Sequence, residues 1–253
     1  MANLRFYTNN TLTLGATVQL SESAAAHATR ALRLNVGDSA VVFNGDGFDY
    51  ECTLISIKKN TVFVTITAAQ QVTNESPLRI TLLQAISSGD RMDYTIQKAV
   101  ELGVTGIQPI TSQRSVVKLS AERAEKRTEH WQNVAISACE QSGRAIVPTV
   151  NAPVSFSHLF AQLTKIAEPD ACKITLAPDA TQHLSNITRP GGNIYLLIGA
   201  EGGFTDEEIL LSITHGFQAI QLGARVLRTE TAALAAMSAM QTLWGDFILV
   251  DFY

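Results

Sequence analysis

The chain has 253 residues, of which 46% are hydrophobic and 17% charged, and so apolar a composition excludes a disordered chain, which could not offset its ordering entropy. The purest apolar stretch, Ile194–Ala200, is strand length and falls short of the roughly 18 residues of a membrane helix. A net charge of -4 argues against a broad nucleic-acid field, but the charge is uneven: residues 1–72 are neutral, 79–144 carry +2 and 145–253 carry -5, so a nucleic-acid surface would fall within the first 144 residues and rest on individual arginines.

Residues 1–25, with Arg5, Asn9, Asn10, Gln19 and Glu22, lack the apolar core of a secretion signal. The first 70 residues read as β. Ser39–Phe43, Tyr50–Ile57 and Thr61–Thr67 are short, partly alternating and rich in β-branched and aromatic residues. Turn signals separate them, at Asn44-Gly45-Asp46-Gly47 and Lys58-Lys59-Asn60. A short helix over Ser21–Leu32 interrupts the strands, with Ser21 as N-cap and Ala24, Ala25, Ala26, Ala28 and Ala31 as helix formers. Short strands with tight turns predict a small barrel. Gln70–Pro77 is polar and ends in proline, which places a boundary there and gives domains 1–72 and 73–253.

Beyond Pro77 the pattern becomes α/β. Arg79–Ala85 is a nearly continuous apolar strand, as expected when both sheet faces are covered. Asp90–Leu102 is an amphipathic helix stopped by Gly103, and Gly106–Ile110 the next strand. Ser120–Ser142 is a long helix, with Arg123, Lys126, Arg127 and Glu129 outward and Trp131, Val134, Ala135 and Ala138 inward. Lys173–Ala177 and Asn193–Gly199 are buried strands, followed by a helix Thr205–His215, a strand Gln218–Leu222 and a final helix Thr229–Trp244. Alternating strands and helices predict a parallel sheet covered on both faces.

Two strand-to-helix loops carry the most chemistry. Ile198-Gly-Ala-Glu-Gly-Gly-Phe-Thr-Asp-Glu-Glu208 combines glycines that let backbone approach a ligand with a capping box, Thr205 and Glu208. It lacks the Lys-Ser/Thr of a phosphate loop, and Asp206, Glu207 and Glu208 would repel phosphate. It therefore reads as a pocket for a ligand without phosphate, or as a well-capped turn and nothing more. Leu222-Gly-Ala-Arg-Val-Leu-Arg-Thr-Glu-Thr-Ala232 repeats the design, with Arg225 and Arg228 where α/β sheets place ligands and Thr229 or Thr231 as the helix cap. The small face of the last helix, Ala232, Ala235, Ala236, Ser238 and Ala239, suits either core or a subunit interface. His27, Arg30 and Arg33 form a basic strip on the short helix, an RNA grip or a chance arrangement. The five histidines are scattered, and Cys52, Cys139 and Cys172 form no CxxC; they suit a reducing cytoplasm rather than a disulfide scaffold or a metal site.

GDRMDYTIQKAVELGV (89–104), SQRSVVK (112–118), WQNVAISACEQSGR (131–144), IGAEGGFTDEE (198–208) and LGARVLRTETA (222–232) together resemble the bacterial small-subunit ribosomal RNA methyltransferase E family. Its members methylate uridine at N3 with S-adenosylmethionine. The similarity runs in order along nearly the whole chain and is looser at Arg5-Phe6-Tyr7 and around His27. Ala200 stands where the family's IGPEGG has proline, which changes loop stiffness and removes no functional group.

The resemblance implies a PUA-like β-barrel followed by a SPOUT-type α/β domain. It also implies a carboxyl-terminal trefoil knot, an arrangement general folding rules would reject. It implies a cytoplasmic homodimer acting on 16S ribosomal RNA or the small ribosomal subunit, with no metal and no membrane. The implied cofactor pocket comprises Leu176 and Ala177; Ile198, Gly199, Ala200, Glu201 and Gly202; and Leu222, Gly223, Val226, Leu227 and Thr231. In such a reaction negative charge develops on the uracil carbonyls, so Arg228 is a candidate to stabilise it and Arg225 to orient the base. Glu201 is a candidate proton acceptor or a loop hydrogen-bonding group. Arg5, Arg30, Arg33, Arg91 and Arg114 are candidate RNA contacts. The alternatives are ribose 2′-O methylation on the same fold, a non-catalytic RNA-binding module, and a nucleotide-dependent oxidoreductase, the last without the GxGxxG such an enzyme needs.

Overall fold

The computed structural model describes residues 4–58, 61–115, 120–165 and 168–247. Lys59 and Asn60 of the expected turn, and residues 116–118 of the SQRSVVK motif, lie outside them. Contacts divide the chain into two compact units. One comprises Met1–Glu75 with Ile136–Val147, the other Ser76–Ala135 with Pro148–Tyr253. Composition gave no sign of the returning segment Ile136–Val147.

The first unit is a five-stranded sheet of β1 (Arg5–Tyr7), β2 (Thr17–Gln19), β3 (Ser39–Phe43), β4 (Phe48–Lys58) and β5 (Thr61–Gln71), in the order β1-β3-β4-β5-β2. Only the β1–β3 pairing is parallel. The period of two is visible in what is buried: Tyr50, Cys52 and Leu54 from β4 and Val62, Val64 and Ile66 from β5 enter one core. Register shifts at Glu51/Cys52 and Leu54/Ser56 interrupt the long β4–β5 ladder, the sort of irregularity that bends strands. Helix α1 (Glu22–Ala26) starts at Ser21, whose hydroxyl accepts the Ala24 N–H, and sets Ala24 and Ala25 on the core. It widens into a π-helical turn, His27–Ala31, and the chain leaves through Arg33 at φ 55.

The returning segment is stitched into this unit by charge. Arg144 is 4% exposed, and its guanidinium meets Glu75 at 2.6 Å. Arg5 pairs with Asp49, donates to the Arg144 carbonyl at 2.9 Å and lies 4.7 Å from the Phe43 ring centre. The Tyr7 amide donates to Glu140 at 3.0 Å.

The second unit is a sheet of β6 (Ile80–Ala85), β7 (Gly106–Thr111), β8 (Thr149–Val150), β9 (Val154–Ser155), β10 (Cys172–Leu176), β11 (Gln182–His183), β12 (Ile194–Ile198) and β13 (Gln218–Gln221). The order is β11-β13-β10-β12-β6-β7-β8, β9 also lies on β7, and every pairing is parallel. Its helices are α2 (Arg91–Glu101), α3 (Ala121–Ser142, which ends in the first unit), α4 (Phe156–Leu163), α5 (Asp206–Thr214) and α6 (Thr229–Trp244). All five residues of β12 are buried. Tyr195 and Leu197 meet Phe156 and Phe160 of α4, so the pleat turns Ile194, Leu196 and Ile198 to the other face. There α6 lies on β12 and against α2, burying Ala233, Ala236, Met237 and Met240. Of the small face of α6 only Ala236 joins this core; Ala232, Ala235, Ser238 and Ala239 are half-buried.

The three cysteines are free and buried, and burial pushes the thiols of Cys52 and Cys139 up to about 12. None is a thiolate at neutral pH. Among the described residues, no helix is long and apolar enough to cross a membrane, and no group of three or more metal-binding side chains occurs.

Candidate active site

Where β10, β12 and β13 end, the second unit opens a cavity of about 1010 Å³. Parallel sheets bind ligands at this edge because successive loops leave the strands side by side. The loop after β10 contributes Leu176 and Ala177, together with Pro178 and Asp179, which sequence reading did not pick out. The loop after β12 contributes Ile198, Gly199, Ala200, Glu201 and Gly202, and the loop after β13 Leu222, Gly223, Arg225, Val226 and Leu227. Helix α5 closes a side with Ile209 and Ile213.

Thr231 is displaced from its expected place. It is exposed on the first turn of α6 and does not line the cavity; Thr229 does. Neither threonine caps the helix: the N-cap is Arg228, without a side-chain bond. The Thr229 hydroxyl instead donates to the Gly199 carbonyl at 2.5 Å and accepts from Gln84 Nε2 at 2.9 Å. Gln84 is fully buried in β6 and also donates to the Ala85 carbonyl. One hydrogen-bonded chain thus joins β6, the β12 loop and the start of α6. The signal was a lone glutamine in an otherwise apolar strand.

The β12 loop is closed tightly. A Cβ on Gly199 would lie 2.9 Å from the backbone of Gly203, and Gly203 itself has φ +68. The expected capping box is present, with Thr205 and Glu208 each accepting the other's amide. Glu208 also accepts the Gln113 amide at 2.8 Å.

Glu201 is held rather than poised. Its Oε1 accepts the Ser88 amide at 2.8 Å, the Ser88 hydroxyl at 2.6 Å and Arg91 Nη1 at 2.8 Å. Burial by itself raises its pKa, but the bonds from Ser88, its own amide and Arg91 outweigh that and leave it at about 2. A carboxylate so stabilised is a poor proton acceptor, so the geometry assigns Glu201 the loop-holding role.

The candidate RNA arginines separate into two groups. Arg91 is committed to Glu201 and lies 4.0 Å from Glu230. Arg114 donates to the carbonyls of Gly202 and Phe204, both at 3.0 Å, and lines the cavity. Arg5 has a side chain only 6% exposed and is occupied by Asp49 and Arg144, which removes it from the surface where RNA contacts are made. Arg30 and Arg33 are exposed. Arg225 and Arg228 are exposed too; Arg225 lines the cavity and Arg228 does not.

Chemically, the cavity offers apolar side chains, backbone groups, the carboxylates of Asp179, Glu201 and Asp206, and the guanidinium groups of Arg114, held by two carbonyls, and Arg225. Among the described residues it has neither a lysine nor a helix amino terminus free of acidic residues. With three carboxylates to two arginines, such a set suits a ligand with a positive centre better than a phosphate.

Residues 74–241 match the family model described as an RNA methyltransferase domain, and residues 20–67 one described as an RNA methyltransferase PUA domain. Over 243 residues the chain is 33% identical to the ribosomal RNA small subunit methyltransferase E of Buchnera aphidicola subsp. Acyrthosiphon pisum, covering 96% of this chain and 94% of that protein. The chain belongs to the ribosomal RNA small subunit methyltransferase E family. A member from Neisseria gonorrhoeae, solved bound to S-adenosyl methionine, superposes with TM-score 0.89 at 43% identity, covering 97% of this chain and all of that one. A methyltransferase from Legionella pneumophila, solved with the same cofactor, gives TM-score 0.92 at 38% identity over 98% of this chain and all of that one. The two-part organisation of methyltransferase E, a PUA-type unit and an α/β methyltransferase unit, is the one expected from the motifs.

Proposed function

We propose that this chain transfers a methyl group from S-adenosylmethionine to N3 of a uridine in 16S ribosomal RNA. The observation that carries the reading is the cavity at the ends of β10, β12 and β13, whose walls are mostly backbone and apolar side chains, with the carboxylates of Asp179, Glu201 and Asp206 outnumbering the arginines Arg114 and Arg225. S-adenosylmethionine supplies a methyl group on a cationic sulfonium. Leu176, Ile198, Leu222 and Leu227 would hold its apolar parts, and exposed backbone of the glycine loops its polar edges. The carboxylates of the lining favour its positive charge, and it carries no phosphate.

The protein's own contribution is position and charge. Arg114 is spent on two carbonyls, which leaves Arg225 as the lining cation available to orient the uracil. Arg228, at the start of α6, is assigned to the charge that grows on the uracil carbonyls as N3 gives its proton to solvent water and bonds to the methyl carbon, whose bond to sulfur breaks. The first unit holds the RNA, with Arg30 and Arg33 on its surface.

Two wider features belong to the same reading. The carboxyl-terminal chain is threaded as a trefoil knot; in support, β13 lies between β10 and β11, two strands consecutive in sequence. The enzyme works as a cytoplasmic homodimer; in support, Val226 in a cavity loop is 84% exposed and Leu210 on α5 is 63% exposed.

The test is methyl transfer from labelled S-adenosylmethionine to small ribosomal subunits from a strain lacking the protein, with nucleoside mass analysis. The expected product is 3-methyluridine. A ribose-methylated product would reassign the target, and tight RNA binding without transfer would make the chain a non-catalytic module.

A further inference from the structure

The first unit holds a second cavity, of about 820 Å³, that methyl transfer does not use. Three pieces of the unit wall it: His27 and Leu32 at the π-helical turn, Gln71 and Thr73 at the exit of β5, and Glu140 and Gln141 on the last turns of α3.

Three observations meet there. First, Arg5, Asp49, Glu140 and Ser142 border the cavity and give its wall hydrogen-bonding groups around the Arg5–Asp49 pair. Second, the wall alternates hydrogen-bonding and apolar groups. Amide and carboxyl side chains stand beside Leu4, Leu32 and Val72, and His27 lies edge-on to Phe6 at 6.1 Å. A flat heterocycle with donors and acceptors on its edge is recognised by this mixture. Third, the backbone is unusual. The Leu32 amide donates to the His27 carbonyl at 3.0 Å, the wide spacing of a π turn, and Arg33 sits at φ 55. Both conformations cluster at functional sites. The same turn carries the exposed side chains of Arg30 and Arg33 next to the pocket residues His27 and Leu32.

We infer that the first unit captures one unstacked nucleoside of its RNA in this cavity, with Arg30 and Arg33 gripping the adjoining phosphates. The inference rests on the proposed action on ribosomal RNA and adds to it a base-reading site separate from the methyl-transfer cavity. The exposed arginines beside the pocket, Arg30 and Arg33, favour a nucleic acid over a protein side chain as the occupant.

The test fills the cavity from two different elements, with Gln141→Phe and Thr73→Phe, and measures anisotropy of a labelled single-stranded RNA of mixed sequence. Both positions are exposed, and thermal unfolding with S-adenosylmethionine titration verifies both units. Each substitution is expected to weaken RNA binding about tenfold, the weight of one stacked base, without altering the salt slope. Arg33→Ala is expected to weaken binding and lower that slope by about one, as for a lost phosphate contact. Unchanged affinity in both filled variants overturns the inference, as does a slope that falls with them. Unchanged RNA affinity with lost methylation of small subunits assigns the cavity to a ribosomal-protein side chain and equally overturns it. Failure of the methyl-transfer reading shows separately, as absence of cofactor binding or of 3-methyluridine from the unsubstituted protein.

Discussion

At Glu201 a carboxylate does structural work beside the reaction. Its pKa of about 2 is below the ordinary 4.5, so its stabilising contribution is complete above pH 4.5 and disappears as pH falls through 2. Cofactor affinity should therefore be flat from pH 8 to pH 5 and decline only in stronger acid, as a calorimetric titration across pH would show. Arg91→Ala should raise the Glu201 pKa, by NMR titration, and weaken cofactor binding several-fold while leaving the fold intact. Arg228→Ala should lower kcat and leave cofactor affinity unchanged; full turnover by that variant would remove Arg228 from the chemistry. Thr229→Val strands two buried partners, Gln84 and the Gly199 carbonyl, and should cost about 2 kcal/mol in denaturant unfolding. The loop residues around Gly199 and Gly223 could be read from sequence because glycine and capping chemistry are local. Gln84 and Thr229 could not, because their roles depend on the parallel strand order that brings positions 84, 199 and 229 together. Arg5 looked like a surface cation for the same reason: its partners, Asp49 and Arg144, are remote in sequence.

Among the elements, the β12 loop and the π turn carry opposite demands. At Gly199 any side chain meets backbone, so Gly199→Ala should leave the fold standing and reduce cofactor affinity more than tenfold, measured by titration. At Arg33 the backbone suits glycine better than the residue present. Arg33→Gly should stabilise the protein by about 1 kcal/mol while weakening RNA binding, a stability gain offset by lost function. Long elements were legible: α6 runs over Thr229–Trp244 as expected, although neither expected threonine caps it. The strands β1, β2, β8, β9 and β11 have two or three residues each, too few to display a period of two. Helix α4 escaped for a different reason, since Phe156–Leu163 is a short run of large apolar residues that periodicity alone does not separate from a strand.

For the molecule as a whole, division of labour follows from chemistry. The cavity at the strand ends favours a cationic ligand, whereas the exposed arginines of the first unit favour an anionic polymer. Salt should therefore weaken RNA binding strongly and cofactor binding little. The broad α/β class was readable because buried parallel strands are continuous apolar runs. The interleaving of the two units was not, because nothing in the composition of residues 136–147 sets them apart from the helix they complete. That interleaving has a consequence for synthesis. When Glu75 leaves the ribosome, Arg5, Tyr7 and Glu75 still lack Arg144 and Glu140, which lie more than sixty residues downstream. At about 5–20 residues per second, the amino-terminal unit waits several seconds, incomplete, while much of the other unit is being made. The nascent chain must begin its second unit before its first can close.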